Sequence, residues 1–206
     1  MGSQTRIDLE AARKKARILV IDDQDPPIRG LFERDGYHVE RWPEIKNLSQ
    51  LTDGHYDLIL LDIHGVGLNE SPDEQGLGIL RHIKASNPAQ LVVMYSALPQ
   101  NISARDVLLL ADEVLDKDES YVRYKGTVDR LLQRRWSAGY YVATMNRELG
   151  DYAAVAPRAV SKALWAMRRG NTVALERYLR AKVTDPKVID RVIAVIGIGV
   201  GIGGLM

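Results

Sequence analysis

The chain has 206 residues, 46% hydrophobic and 27% charged, enough for one full domain plus a smaller unit. It contains no cysteine, which excludes structural disulfides, thiolate metal sites and cysteine nucleophiles. The net charge of +1 conceals an asymmetry: residues 1–135 carry 18 basic and 22 acidic side chains, and residues 136–206 carry 10 and 5. The sign of the C-terminal part suits nucleic acid, anionic lipid or an acidic partner, and equally a plain solvated helical surface. No long apolar run follows the early cations Arg6, Arg13, Lys14, Lys15 and Arg17, so no signal peptide is read there and a cytoplasmic location is expected.

Residues 4–16 read as a polar lead-in with one or two helical turns. Ala16 to Ile21 is a strand run, stopped by Asp22-Asp23. Pro26-Pro27 opens a helix from Ile28 to Arg34, since proline suits a first helical turn. Residues 37–41 alternate as an edge strand. Pro43 is expected to open a helix to Thr52, before the Asp53-Gly54 turn. Asp57-Leu-Ile-Leu-Leu-Asp62 is a short apolar run, the pattern of a strand buried on both faces of a parallel sheet. A polar loop over 65–75 leads to a helix through Leu77, Leu80 and Ile83, ended by Asn87-Pro88. Leu91 to Tyr95 is another buried strand, ending at Ser96. A helix over 104–111, the short strand 113–116, Lys117 and a helix over 119–135 complete this part. The alternation predicts an α/β fold: a flavodoxin-like, doubly wound, five-stranded parallel sheet of order 2-1-3-4-5.

Beyond it, helices are expected over 136–149, from Pro157 through Met167, and over 173–181, with a break at Gly170-Asn171. The last stretch, 192–206, is uncharged and glycine-rich. As a helix it would be about 22 Å long, short of the roughly 30 Å of a bilayer core. Gly197 and Gly201, like Gly199 and Gly203, stand four apart, which allows close helix packing. The tail has three readings: burial in the helical segment or a dimer, membrane contact through 188–206, or self-assembly by β pairing. The expected division is a lead-in (1–15), the sheet domain (16–135), a helical module (136–191) and the tail (192–206).

The strand ends carry the chemistry. Strand one ends in Asp22-Asp23, strand three in Asp62, strand four in Ser96 and strand five in Lys117. In the 2-1-3-4-5 order these ends are neighbours on one edge. Three close carboxylates repel one another and want a hard divalent cation, typically Mg²⁺. With two acids on the metal, the third can attack phosphorus while Lys117 steadies the phosphoryl oxygens. Ser96 can then donate to the acyl phosphate, giving phosphorylation a lever on the loop after strand four.

The set Asp22-Asp23, Asp62, Ser96 and Lys117 resembles the receiver domain of two-component response regulators over residues 16–135. The resemblance implies Asp62 as phosphoacceptor, Asp23 and Asp62 as Mg²⁺ ligands, and Asp22 helping directly or through water. It implies the backbone carbonyl of His64 as a further ligand, Ser96 as the switch hydroxyl and Lys117 as the phosphate contact. The phosphodonor would be a histidine kinase or phosphotransfer protein. The protein would not be an enzyme beyond promoting its own phosphorylation and dephosphorylation, and a homodimer fits. Departures from the family pattern are Val114 in place of an aromatic switch residue, Asp118 in place of proline after the lysine, a longer loop after Asp62 and a shorter first helix. Two rival readings stand: a degenerate receiver acting as scaffold or membrane-linked effector, and a DNA-binding transcription factor. The latter would use 157–171 in a helix-turn-helix with Arg158, Lys162, Arg168 and Arg169.

Overall fold

Five strands, β1 (Arg17–Ile21), β2 (His38–Trp42), β3 (Leu58–Asp62), β4 (Val92–Ser96) and β5 (Glu113–Asp116), pair in parallel in a computed structural model that describes residues 9–97 and 105–200. Their order is β2-β1-β3-β4-β5, the flavodoxin-like order read from the sequence. β3 and β4 are buried at every position, which is why both are unbroken apolar runs rather than alternating ones. The edge strand β2 alternates between exposed and half-buried positions before ending in buried Trp42.

Two compact units divide the chain. Among the described residues, the sheet unit comprises those up to Lys84 together with those from Gln90 to Arg135, and the helical unit gathers Ala85–Ala89 with those from Trp136 onward. Within the sheet unit, the lead-in is an ordered helix, α1 (Leu9–Lys15), and α5 (Tyr121–Arg135) closes the unit. Arg13 grips Asp129 of α5 through two parallel bonds of 2.9 and 2.5 Å, and the Tyr37 hydroxyl donates to the same carboxylate. Such a bidentate, half-buried pair fixes an orientation that a lone surface pair would not.

Two local expectations change. The helix expected over 43–52 is only a 3₁₀ turn at Ser49–Leu51. The Asn47 side chain accepts from the backbone N–H groups of Ser49 and Gln50, and the Glu44 carboxylate accepts from Ile45 N–H. These side chains take donors that a helix would have used, the usual competition at such residues. The helix expected over 104–111 is short in its described part, α4 (Arg105–Leu108), because Leu110 and Ala111 donate three residues back and Asp112 N–H turns to Val92 O at the sheet edge. The first sheet-covering helix, α2 (Pro27–Arg34), and the third, α3 (Gly76–Ser86), lie where they were read.

The helical unit contains α6 (Ala138–Leu149), a short α7 (Tyr152–Val155), α8 (Ala159–Arg169), α9 (Val173–Arg180) and α10 (Pro186–Val200). α10 starts before the glycine-rich stretch. Asp185 Oδ1 accepts Lys187 N–H at 2.8 Å and Pro186 takes the first turn, an N-terminal signal the sequence analysis passed over. Its residues Ile189, Val192, Val195, Ile196 and Ile198 are buried, and the helix packs on α6, α8 and α9. A Cβ on Gly199 would lie 2.8 Å from Met167 Sδ and 3.0 Å from Tyr141 Cγ, so this glycine permits a close helix approach. Of the three readings of the tail, burial against the helical segment describes it as far as Val200; its remaining residues lie outside those described. Among the described residues no helix is long and apolar enough to cross a membrane.

Candidate functional site

The parallel register brings four strand ends level. Ile21 pairs with Leu61, Asp62 with Tyr95 and Ser96 with Asp116, so the next residues along β1 and β5 are Asp22 and Lys117. Asp22 N–H is anchored on Trp42 O and Lys117 N–H on Ser96 O. Asp22, Asp62 and Ser96 are buried, at 1%, 3% and 4% exposure, whereas Asp23 is open to solvent.

Lys117 Nζ lies 2.6 Å from Asp62 Oδ2 and 3.0 Å from Asp22 Oδ2. Asp62 Oδ1 accepts the N–H of Ile63 at 2.7 Å and, more weakly, that of His64 at 3.4 Å. Asp22 Oδ1 accepts Gln24 N–H at 2.9 Å. One carboxylate oxygen from each of Asp22, Asp23 and Asp62 lies within 4.8 Å of the others. Asp23, Gln24, Asp62, His64, Gly65, Ser96, Ala97 and Lys117 line one open cleft. Asp23, Asp62, His64, Ser96 and Lys117 of the strand-end set therefore meet here, and Asp22 joins them through Lys117.

The cluster carries three negative charges against one positive. Burial pushes the Asp62 carboxyl above its ordinary range; Lys117 opposes the shift and the Asp22 charge adds to it. For Lys117, burial works to lower the ammonium's pKa, but the Asp62 and Asp22 carboxylates outweigh it and raise it. The lysine therefore stays charged at neutral pH.

Three further residues support the site. Tyr95, fully buried, donates from its hydroxyl to Asp22 Oδ2 at 2.8 Å and holds its ring 5.3 Å from the Lys117 ammonium. Burial, then the Asp22 charge, raise this phenol's pKa and keep it a neutral donor. Glu44 accepts the N–H groups of Gly67 and Leu68, and Gln75 Oε1 accepts Gly65 N–H at 2.9 Å, so both pin the long loop after β3. Gly65 has φ of 79°, and a Cβ there would come within 2.8 Å of Asp23 Cγ. Only the Tyr95 role had a sequence signal, its place next to Ser96.

The sheet unit thus has the flavodoxin-like topology of receiver domains, with an acidic cleft at the carboxyl edge of its strands. No protein-family model matches the chain, and no curated protein matches it. Solved structures that match include receiver domains of response regulators, which cover about 58% of the chain. A CheY-like receiver domain protein from Methanospirillum hungatei shares 21% identity, over 58% of this chain and 95% of that one, with a TM-score of 0.49. The receiver domain of NtrX from Brucella abortus shares 26%, over 56% and 98%, with a TM-score of 0.47. TrrA from Thermotoga maritima, solved in complex with Mg²⁺ and BeF, shares 27%, over 56% and 98%, with a TM-score of 0.43. The chemistry of the site rests on the residues described above.

Proposed function

We propose that the sheet unit is a phosphoryl-accepting switch of a response regulator, with Asp62 as acceptor. The observation that carries this reading is the position of Lys117 Nζ, within 3.0 Å of both Asp62 and Asp22, at the mouth of a three-carboxylate cleft. An Asp62 oxygen attacks the phosphorus of a phosphohistidine in a kinase or phosphotransfer partner. The P–N bond breaks, its electron pair leaves with the donor's imidazole, and an acyl phosphate results. Lys117, positive and already at the carboxylate, meets the charge of the phosphoryl oxygens. Ser96, at the end of the adjacent strand, donates to the modified acceptor.

The donor set fits Mg²⁺, a hard cation that takes carboxylate oxygens. Asp22 already has Gln24, Lys117 and Tyr95 on its two oxygens. Asp23, the exposed member of the three, and Asp62 would hold the ion, with the His64 carbonyl that the receiver resemblance implies, and Asp22 would help directly or through water. When bound, Mg²⁺ would supply charge neutralisation for phosphoryl transfer. The helical unit carries the output in this reading.

Beryllofluoride, an acyl-phosphate mimic, tests it. With Mg²⁺, amide NMR shifts around Ser96 and Lys117 should change saturably in the wild type and not in Asp62→Asn. Absence of any change in the wild type would reduce the sheet unit to a scaffold that never accepts phosphate.

A further inference from the structure

The outer face of α8 is left unexplained by packing. Its inner side is small and apolar: Ala159, Ala163, Ala166 and Met167 are buried. Arg158 at the N-cap, Lys162, Trp165 and Arg169 share a separate stripe, within an arc of about 60° at helical spacing. Arg158 and Arg169 are exposed, and Trp165 is 48% exposed, an unusual place for an indole that the core does not use. Lys162 stands over the Tyr178 ring at 5.4 Å, and Arg168 adds a further exposed cation beside the stripe.

The charge of this region is unbalanced. No carboxylate occurs in the sequence between Asp151 and Glu176. The ion pairs of the helical unit join Arg147 and Arg191 to Glu148 and Arg180 to Glu176. Among the described residues none includes Arg158, Lys162, Arg168 or Arg169. Arg168 and Arg169 suit the negative end of the helix, but Arg158 and Lys162 stand at the positive end, where the dipole disfavours cations and no acid offsets them. A sequence that breaks a local stability rule usually does so for a partner.

We infer that this face of α8 binds single-stranded nucleic acid, with its cations on phosphates and Trp165 stacked on an unpaired base. Lys162 and Arg169 are about 10 Å apart along the axis, with the indole between them, the alternation of charge and ring that a strand lying along the helix requires. A lipid surface fits less well, because the apolar side of α8 is already buried and the exposed side offers a single ring. A duplex would use the cations and leave the ring without an open base.

The experiment is fluorescence anisotropy of a labelled oligo-dT of ~15 nucleotides with the full chain at about 50 and about 200 mM salt. Micromolar binding that weakens with salt is expected. Trp165→Ala should weaken it about 5- to 150-fold and Trp165→Phe far less. Each of Arg158→Gln and Arg169→Gln should reduce the log–log salt slope by about 0.7. Thermal melts of Arg158→Gln, Arg169→Gln and Trp165→Phe should match the wild type, since the two cations are exposed and phenylalanine keeps a ring on the half-buried side of Trp165. No saturable binding at low salt, or binding indifferent to Trp165→Ala, would overturn the inference. So would binding to phosphatidylserine vesicles, or to a duplex of the same length, in place of the strand.

Discussion

Asp62→Asn in the absence of phosphate is the perturbation that most directly interrogates the cleft. Asp22 and Asp62, with oxygens inside 4.8 Å, repel by about 3.5 kcal/mol at an effective dielectric near 20. Solvent-exposed Asp23 adds a smaller share. Lys117, 2.6 Å from Asp62, attracts by about 6 kcal/mol on the same scale. Repulsion thus offsets more than half of the attraction, and burial outweighs the remainder, because an ionised carboxylate that is 3% exposed bears an effective penalty of several kcal/mol. The raised pKa of Asp62 has the same sign. In EDTA at neutral pH, Asp62→Asn should therefore be the more stable protein, by at least about 1 kcal/mol or ~3 °C in Tm for a chain of this size. Because the folded pKa lies above the unfolded one, the destabilisation is absent below about pH 3.9 and grows as pH rises through the folded value; the two melting curves should converge in acid. Mg²⁺ at 100 times its Kd should raise the wild type by about 2.7 kcal/mol and the variant much less, so that the order of Tm reverses. Calorimetry at several Mg²⁺ concentrations reads both effects. A variant less stable in EDTA, or equal Mg²⁺ shifts in both proteins, would refute the reasoning.

Four further outcomes are expected. Tyr95→Phe removes a buried hydrogen bond to a carboxylate and should lower stability by about 1.5–3 kcal/mol in urea titrations; a loss under half of that would mean Asp22 does not need the hydroxyl. Asp112→Ala takes the carboxylate from the Lys84 ammonium, whose side chain is 9% exposed and which keeps the Gln90 carbonyl, and removes the acceptor for Val92 N–H; about 3–5 kcal/mol should disappear from the denaturation free energy. Gly199→Ala forces a Cβ against Met167 and Tyr141 and should destabilise the helical unit by about 1–3 kcal/mol, seen as earlier amide exchange in α6, α8 and α10. The Tyr56 hydroxyl, then the Trp42 indole, hold Glu40 below the ordinary carboxylate range; stability from this group is present above its unfolded pKa and lost as pH falls through the folded one. Glu40→Gln should flatten that part of the acid-unfolding curve, and an unchanged acid limb would remove Glu40 from the account.

Much of this molecule is legible in one dimension. The run Leu58–Leu61 reads as a doubly buried strand because no residue in it has a polar face to show to water. Asp62, Ser96 and Lys117 stand where apolar runs stop, so their meeting at one edge follows once the strands are parallel and neighbours. The segment 43–52 misled because Pro43 resembles a helix start. Glu44 instead turns its carboxylate to a loop more than twenty residues away, and Asn47 competes locally for backbone donors.

By itself the sequence determined the alternation of strands and helices, the sheet order and the residues gathered at its carboxyl edge, because periodicity and strand ends are local properties. Only the tertiary structure decided that Tyr95 saturates Asp22, that Glu44 and Gln75 pin the loop beside Asp62, and that the glycine-rich end of the chain is helix through Val200, with Gly199 against Met167 and Tyr141. It also decided that Trp165 faces water among cations. Each of these depends on partners distant in the chain, and a spacing rule does not carry the identity of the residue that a side chain will meet.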